Sequence, residues 1–363
     1  MSQPPPRRFV GRATSHAPPN RFEATRHEAD FEQLDAGDEL LAAERSVPTV
    51  FLPDNAATII RENDSPDIPF RFSMNPYRGC EHGCAYCYAR PTHETLGMNA
   101  GLDFETKILV KHDAPSLLRK ELNTNKGWAA EPIMISGVTD CYQPAERRFR
   151  LTRGLLEVLL EARQPACMIT KNSLVCRDLD LLAPMAERRL VSMALSITTL
   201  DAELARTLEP RTATPVAKLR AIRELTAAGV PVRVMVAPLI PGLTDSELPA
   251  ILAAAKEAGA CGAGYVMLRL PLSVEPVFLH WLRTHRPLAA DKVEGLIRQV
   301  RGGKLYSSEW GKRMTGTGSY AEGIAKTFDV FTEKLGLNAP WQPLDSTQFC
   351  RPHLPGGQLR LFE

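Results

Sequence analysis

Three cysteines crowd into one loop of a 363-residue chain, Cys80-Glu81-His82-Gly83-Cys84-Ala85-Tyr86-Cys87, with the spacing C-x3-C-x2-C. Thiolates so spaced bind metal. Iron–sulfur cubanes are usually held by four thiolates, and three close ones can hold three irons of a 4Fe-4S cube and leave the fourth open to a ligand. The rival is zinc with His82 as the fourth ligand, although structural zinc sites normally take two ligand pairs and one pair is missing here. A third reading leaves the cysteines as packing in a turn. Cys141, Cys167, Cys176, Cys261 and Cys350 are scattered, so the tight cluster reads first as a metal site in a reducing compartment rather than as part of a disulfide framework. Cys167 and Cys261, among apolar or small neighbours, read as buried filler.

The elements that must position this loop alternate. Apolar runs at 68–74, 131–138, 165–172, 190–198, 231–240 and 264–271 read as strands. Between them lie helix-period segments at 149–162, 178–187 (interrupted by Pro184), 214–229 and 248–259. In the 214–229 helix, Val216, Leu219, Ile222 and Leu225 are expected on the buried face, with Gly229 as the stop. Near-continuous apolar strands separated by helices mean a covered parallel sheet, so the expected fold is α/β, a partial (β/α)6 barrel. In that architecture function gathers at the C-terminal strand ends, which here carry Cys80–Cys87, Thr139-Asp140, Lys171-Asn172, Ser196–Thr198 and Pro238–Pro241.

The organisation expected along the chain has four parts. Residues 1–48, broken by prolines and carrying an acidic run, form a mostly disordered N-terminal extension. The barrel spans 49–280, a C-terminal helical segment packing on it spans 281–350, and a flexible tail spans 351–363. Forty-four Lys and Arg face 42 Asp and Glu, a net charge of +2, which excludes a histone-like binder or an acidic solvating tail. No apolar run approaches the roughly 20 residues of a membrane helix, and residues 1–22 lack the core of a signal peptide. The expectation is a soluble, cytoplasmic protein without a membrane partner.

Three words, NPYRGCEHGCAYCYAR (75–90), SGVTDCYQPAE (136–146) and APLIPGLTD (237–245), resemble the radical S-adenosylmethionine (radical SAM) superfamily, and within it the subgroup of spore photoproduct lyase and its uncharacterised relatives. The resemblance covers about residues 70–280. It implies that Cys80, Cys84 and Cys87 ligate a 4Fe-4S cluster whose open iron binds SAM. One-electron reduction, by a flavodoxin- or ferredoxin-like donor, then yields a 5′-deoxyadenosyl radical. It also implies that Tyr86 packs near the adenine, and that Ser136, Gly137 and Thr139 meet the methionyl amine. Lys171 pairs with the methionyl carboxylate, and Ser196 and Thr198 suit the ribose. Cys141 is considered as a hydrogen donor, against a packing role. Asp140, Tyr142, Gln143 and Glu146 form a polar run at a strand-to-helix turn. Arg147, Arg148, Arg150 and Arg153 form a basic patch that could meet phosphates. Glu209-Pro210-Arg211 reads as a loop able to close over the site.

Gln358-Leu359-Arg360-Leu361-Phe362 resembles the QLxLF peptide by which bacterial replication and repair proteins dock on the sliding clamp. The leading function is therefore a lyase-like radical SAM enzyme with nucleic acid, in a DNA-repair-like role, as preferred substrate. The alternatives are modification of a small molecule, tRNA or peptide, and a non-catalytic iron–sulfur or zinc protein for redox sensing or partner recruitment.

Overall fold

A computed structural model describes residues 11–22, 47–340 and 342–354. Six strands form its centre: β1 (Phe72–Met74), β2 (Ile133–Ile135), β3 (Ala166–Thr170), β4 (Val191–Ser196), β5 (Val232–Leu239) and β6 (Gly262–Met267). Each pairs in parallel with the next in chain order. Arg61–Glu62 adds a short antiparallel edge beside β1. This is the expected partial barrel. Its strands are apolar because both faces are covered: Ile135, Met168, Met193 and Val234 all lie buried in one core.

The crossover helices are α1 (Ala114–Thr124), α2 (Leu151–Glu161), α3 (Leu179–Glu187), α4 (Ala202–Leu208), α5 (Pro215–Ala227) and α6 (Leu248–Glu257). Leu155, Leu156 and Leu159 of α2 share the core with Leu118 and Leu122 of α1, each such burial stabilising by about 1.5–3 kcal/mol. Pro184 does not interrupt α3; the helix runs through it and forgoes one amide hydrogen bond. In α5 the buried stripe is rotated from the expected one. Lys218, Ala221, Ile222 and Leu225 face inward, while Val216 is 78% exposed, because Lys218 has a buried carboxylate to reach.

Two features were not anticipated. Val50–Pro53, Lys107–Val110 and Tyr77–Arg78 form a separate three-stranded sheet behind the cysteine loop. The open edge of β6 is covered, with the Ala263 amide donating to Leu337 O (3.1 Å) and the Met267 amide to Met314 O (2.8 Å). Leu337 follows α8 (Gly318–Leu335), which packs on α6; between β6 and α8 comes α7 (Val274–His285).

Of the N-terminal extension, residues 11–22 lie against the body. Arg12 Nη1 donates to Glu105 O (2.7 Å), and Asn20 Nδ2 to Glu94 O (3.1 Å). Ala13 packs with Cys84, Ala85 and Tyr86. Residues 351–354, assigned to the tail, are tied down as well, with Arg351 Nη1 donating to Asn123 O (2.7 Å). The QLxLF-like segment Gln358–Phe362 lies outside the described residues.

Candidate functional site

The cysteine loop leaves β1 through Tyr77–Arg78 and turns at two left-handed glycines, Gly79 (φ 78°) and Gly83 (φ 64°). A Cβ on Gly83 would stand 2.6 Å from Glu105 Oε2, so the backbone approaches where only glycine fits. Arg90 grips the loop from beneath. Fully buried, it donates to Cys84 O from Nε (3.0 Å) and Nη2 (2.8 Å), to Gly83 O (3.0 Å), to Ala100 O (3.0 Å) and Gly101 O (2.8 Å), and to Glu105 Oε1 (2.6 Å). Above it, Gln143 bridges the loop, accepting from the Glu81 amide (2.9 Å) and donating to Gly79 O (3.1 Å).

Arg90→Ala is therefore expected to destabilise the protein by about 3–5 kcal/mol, since it strands a buried carboxyl and five carbonyl contacts. It should also lower iron incorporation. Arg90→Lys, lacking the planar fork, should recover only part of either. Urea unfolding together with iron analysis reads both effects.

The three thiols sit together in one largely buried loop. Burial foremost pushes the Cys80, Cys84 and Cys87 thiols up, and Cys80 rises further beside Asp140 and the other two cysteines. Left alone they stay protonated; a cationic cluster is what makes buried thiolates tenable. His82, the fourth ligand a zinc site would need, is spent elsewhere. Its Nε2 accepts from Asn172 Nδ2 (3.2 Å), so the ring proton sits on Nδ1, 3.4 Å from Asp140 Oδ2.

Asp140 ties three strand ends together. Its carboxylate accepts from Thr170 Oγ1 (2.7 Å), from the Lys171 amide (2.7 Å) and from the Tyr142 amide (2.9 Å). Burial would raise its pKa, but His82 and these donors outweigh it and hold the carboxyl below its usual value. It is a positioning residue.

Opposite the loop, a polar shelf forms at the ends of β3, β4 and β5. Lys171 Nζ donates to Ala237 O (2.7 Å) and Thr198 Oγ1 (3.2 Å), and lies 5.4 Å from the Tyr86 ring centre. The Tyr86 hydroxyl meets Thr198 Oγ1 (3.2 Å) and donates to Glu209 Oε2. Glu209, read from sequence as part of a closing loop, is instead a buried hub that pairs with Lys218 and stands 3.6 Å from Lys171 Nζ. Burial opposes its charge, yet Lys218 and Lys171 prevail and hold its pKa at about 2. Two cations thus meet one carboxylate, leaving a positive charge to attract an anion at Lys171.

The other expected residues fall as follows. Ser196 is buried at the end of β4. Ser136 (φ 74°) turns the chain after β2, its Oγ accepting from the Cys141 amide (2.7 Å). Thr139 Oγ1 donates to Tyr77 O (2.8 Å), and Gly137 O accepts from the Tyr88 hydroxyl (2.6 Å). Cys141 lies in the apolar core with Leu155 and Met168, fully buried, which favours packing over hydrogen donation. The basic patch is only partly spent, with Arg147 and Arg150 exposed. Arg153 is consumed by Asp178 (3.0 Å) and Asp180 (2.7 Å), and Arg148 lies over Phe51 and Phe149. Glu146 is fully buried, accepting from Tyr77 (2.5 Å) and Arg177 (2.7 Å), and the buried Tyr142 donates to Asp178 (3.1 Å). Cys167 is only partly buried and Cys261 is exposed, so neither is the buried filler expected.

The family model described as the radical SAM superfamily matches residues 74–255, half the chain, from the end of β1 through α6. The chain belongs to the radical SAM superfamily. Members use a 4Fe-4S cluster and SAM and need a one-electron reductant, and this chain is accordingly a radical SAM enzyme. An uncharacterized protein of Mycobacterium tuberculosis is 41% identical over 234 residues, 64% of this chain and 68% of that one. An uncharacterized protein of Methanocaldococcus jannaschii is 29% identical, over 49% of this chain and 63% of that one. Among solved structures, spore photoproduct lyase complexed with dinucleoside spore photoproduct superposes with TM-score 0.54 at 17% identity, covering 78% of this chain and 79% of the other. A variant of that enzyme with bound AdoMet and the same ligand gives TM-score 0.55 at 17% identity, covering 85% of each chain. The radical SAM fold is thereby shared. Among the described residues no helix is long and apolar enough to cross a membrane.

Proposed function

We propose that Cys80, Cys84 and Cys87 ligate the cluster, that the Lys171 shelf receives SAM, and that the substrate is nucleic acid. The chemistry supplied by cluster and SAM together is reductive cleavage to a 5′-deoxyadenosyl radical. The chain's own part is to bind, orient and exclude water. The observation that carries the reading is the surplus positive charge at Lys171, across the same strand ends as the cysteine loop. It suits the methionyl carboxylate, while Thr198 and Ser196 offer hydroxyls toward ribose and the Tyr86 ring a face toward adenine. Ser136 and Thr139 spend their side chains on internal hydrogen bonds, so their contribution, with Gly137, passes through the backbone turn they shape toward the methionyl amine.

The nucleic-acid substrate is supported by the shared fold with an enzyme whose structures hold a dinucleoside photoproduct. The QLxLF-like peptide supports the same setting, with Leu361 and Phe362 entering an apolar pocket of the sliding clamp. The reductant is taken to be a flavodoxin- or ferredoxin-like protein of the reducing cytoplasm.

The test is anaerobic incubation of reduced, cluster-loaded protein with SAM and irradiated or untreated DNA and RNA, followed by mass spectrometry. A modified nucleotide formed together with 5′-deoxyadenosine is the expected result. SAM cleavage with product only from peptides or small molecules would remove nucleic acid as substrate. Purified clamp should bind the wild type and not Leu361→Ala plus Phe362→Ala.

A further inference from the structure

The end of β6 carries a cation that nothing in the foregoing site explains. Arg269 is partly buried, and among the described residues it has no carboxylate partner. Its Nε is buried without a hydrogen-bond partner, and its Nη1 meets only Met314 Sδ at 3.6 Å. A thioether is a weak acceptor and a desolvated guanidinium is costly without an anion. A second arginine stands behind it. Arg301, 5% exposed, donates to Leu268 O (2.7 Å), Met267 O (3.4 Å) and Lys312 O (3.2 Å), and meets no carboxylate among the described residues. Burial first, then the charge of Arg269, lowers the Arg301 pKa to about 10.

Arg269 lies beside the cysteine loop. The Arg269 guanidinium lies 5.4 Å from the ring centre of Tyr88, the residue after Cys87, whose hydroxyl reaches Gly137 O at the end of β2. The Tyr88 ring is 45% exposed. Arg301 and Met314 anchor the segment 301–317 to the end of β6, and that segment presents Trp310, 54% exposed, with Lys304 exposed on the same segment and Lys312 paired with Glu309 (2.6 Å). Arg313 braces the Trp310 ring at 3.9 Å while its Nε donates to Asp67 (2.5 Å).

We propose that Arg269 on Tyr88, backed by Arg301, binds a backbone phosphate of single-stranded nucleic acid, whose bases stack on the exposed rings of Tyr88 and Trp310. The inference deepens the nucleic-acid reading and rests on it. Cations beside exposed aromatic rings fit a phosphodiester strand, because every base has a face to stack and every linkage a charge. An arginine fork suits phosphate better than an ammonium does.

The test is fluorescence anisotropy of the full-length protein with a fluorescein-labelled single-stranded thymidine oligonucleotide, at about 50 and about 200 mM salt. Arg269→Ala is expected to weaken binding about tenfold and to reduce the salt slope by about one. Arg269→Lys should keep the slope with intermediate affinity. Tyr88→Ala, at an exposed position, should cost about fivefold or more with the slope unchanged. Arg220→Ala, an exposed arginine on α5, is the control and should bind as the wild type does. Equal binding by wild type and Arg269→Ala overturns this site while the nucleic-acid reading stands. Wild type that ignores the oligonucleotide but binds inorganic pyrophosphate through Arg269 overturns the nucleic-acid occupant.

Discussion

Alanine at Cys80, Cys84 or Cys87 is expected to abolish the brown iron–sulfur absorbance and to reduce 5′-deoxyadenosine formation to background. Each thiolate would serve a different iron, so no neighbour can substitute: the loop is held too tightly by Arg90 for a remaining sulfur to swing across. Cys261→Ala, at an exposed position, should retain both properties. Anaerobic reconstitution, iron and sulfide analysis and product chromatography give the comparison. Full iron content in all three loop variants would remove the cluster assignment.

Lys218→Met should destabilise the fold by about 3–5 kcal/mol, because it leaves Glu209 charged and buried with only Lys171 nearby. Both members of the Glu209–Lys218 pair are buried, so solvent cannot take up the slack. Glu209 also sets an acid limit. Its folded pKa of about 2 lies below the 4.5 of a free glutamate, so its contribution to stability is complete above about pH 4.5 and disappears as the pH falls through about 2. Urea midpoints measured across that interval should fall more steeply for wild type than for Glu209→Gln. Parallel curves would show that Glu209 does not carry the charge assigned to it. Lys218→Met should in addition weaken SAM binding, since Glu209 is then free to neutralise Lys171 fully.

The six strands were readable because each lies in a near-continuous apolar run between polar turns, and the cysteine loop because its spacing has few uses. The supporting shell was not. Arg90, Glu105 and Glu209 look like ordinary charged residues in sequence, and what removes them from water is tertiary contact across distances that local patterning does not record. Lys218 did leave a sign. It falls at the start of an i, i+3, i+4, i+7 series with Ala221, Ile222 and Leu225, where a charge on an apolar stripe asks for a buried partner. The expected stripe began instead at Val216, and the rotation of α5 hid the lysine. Arg153, read with the arginines before it as a phosphate patch, pairs instead with Asp178 and Asp180, 25 and 27 residues onward in the chain, which clustering in sequence does not record.

The hydrogen bonds around the two halves of the site differ greatly in reach along the chain. Every bond from Arg90 to the cysteine loop and Glu105 closes a span of 15 residues or fewer, whereas the Tyr86 hydroxyl must find Glu209 across 123 residues. Closing a longer loop costs more chain entropy and forms later. The grip of Arg90 is therefore local, whereas the outer bonds of the cysteine loop wait for distant chain: the Gln143 bridge needs the end of β2, the Ala85 amide donates to Leu208 O (3.0 Å) at the end of α4, and the Lys171 shelf needs β5.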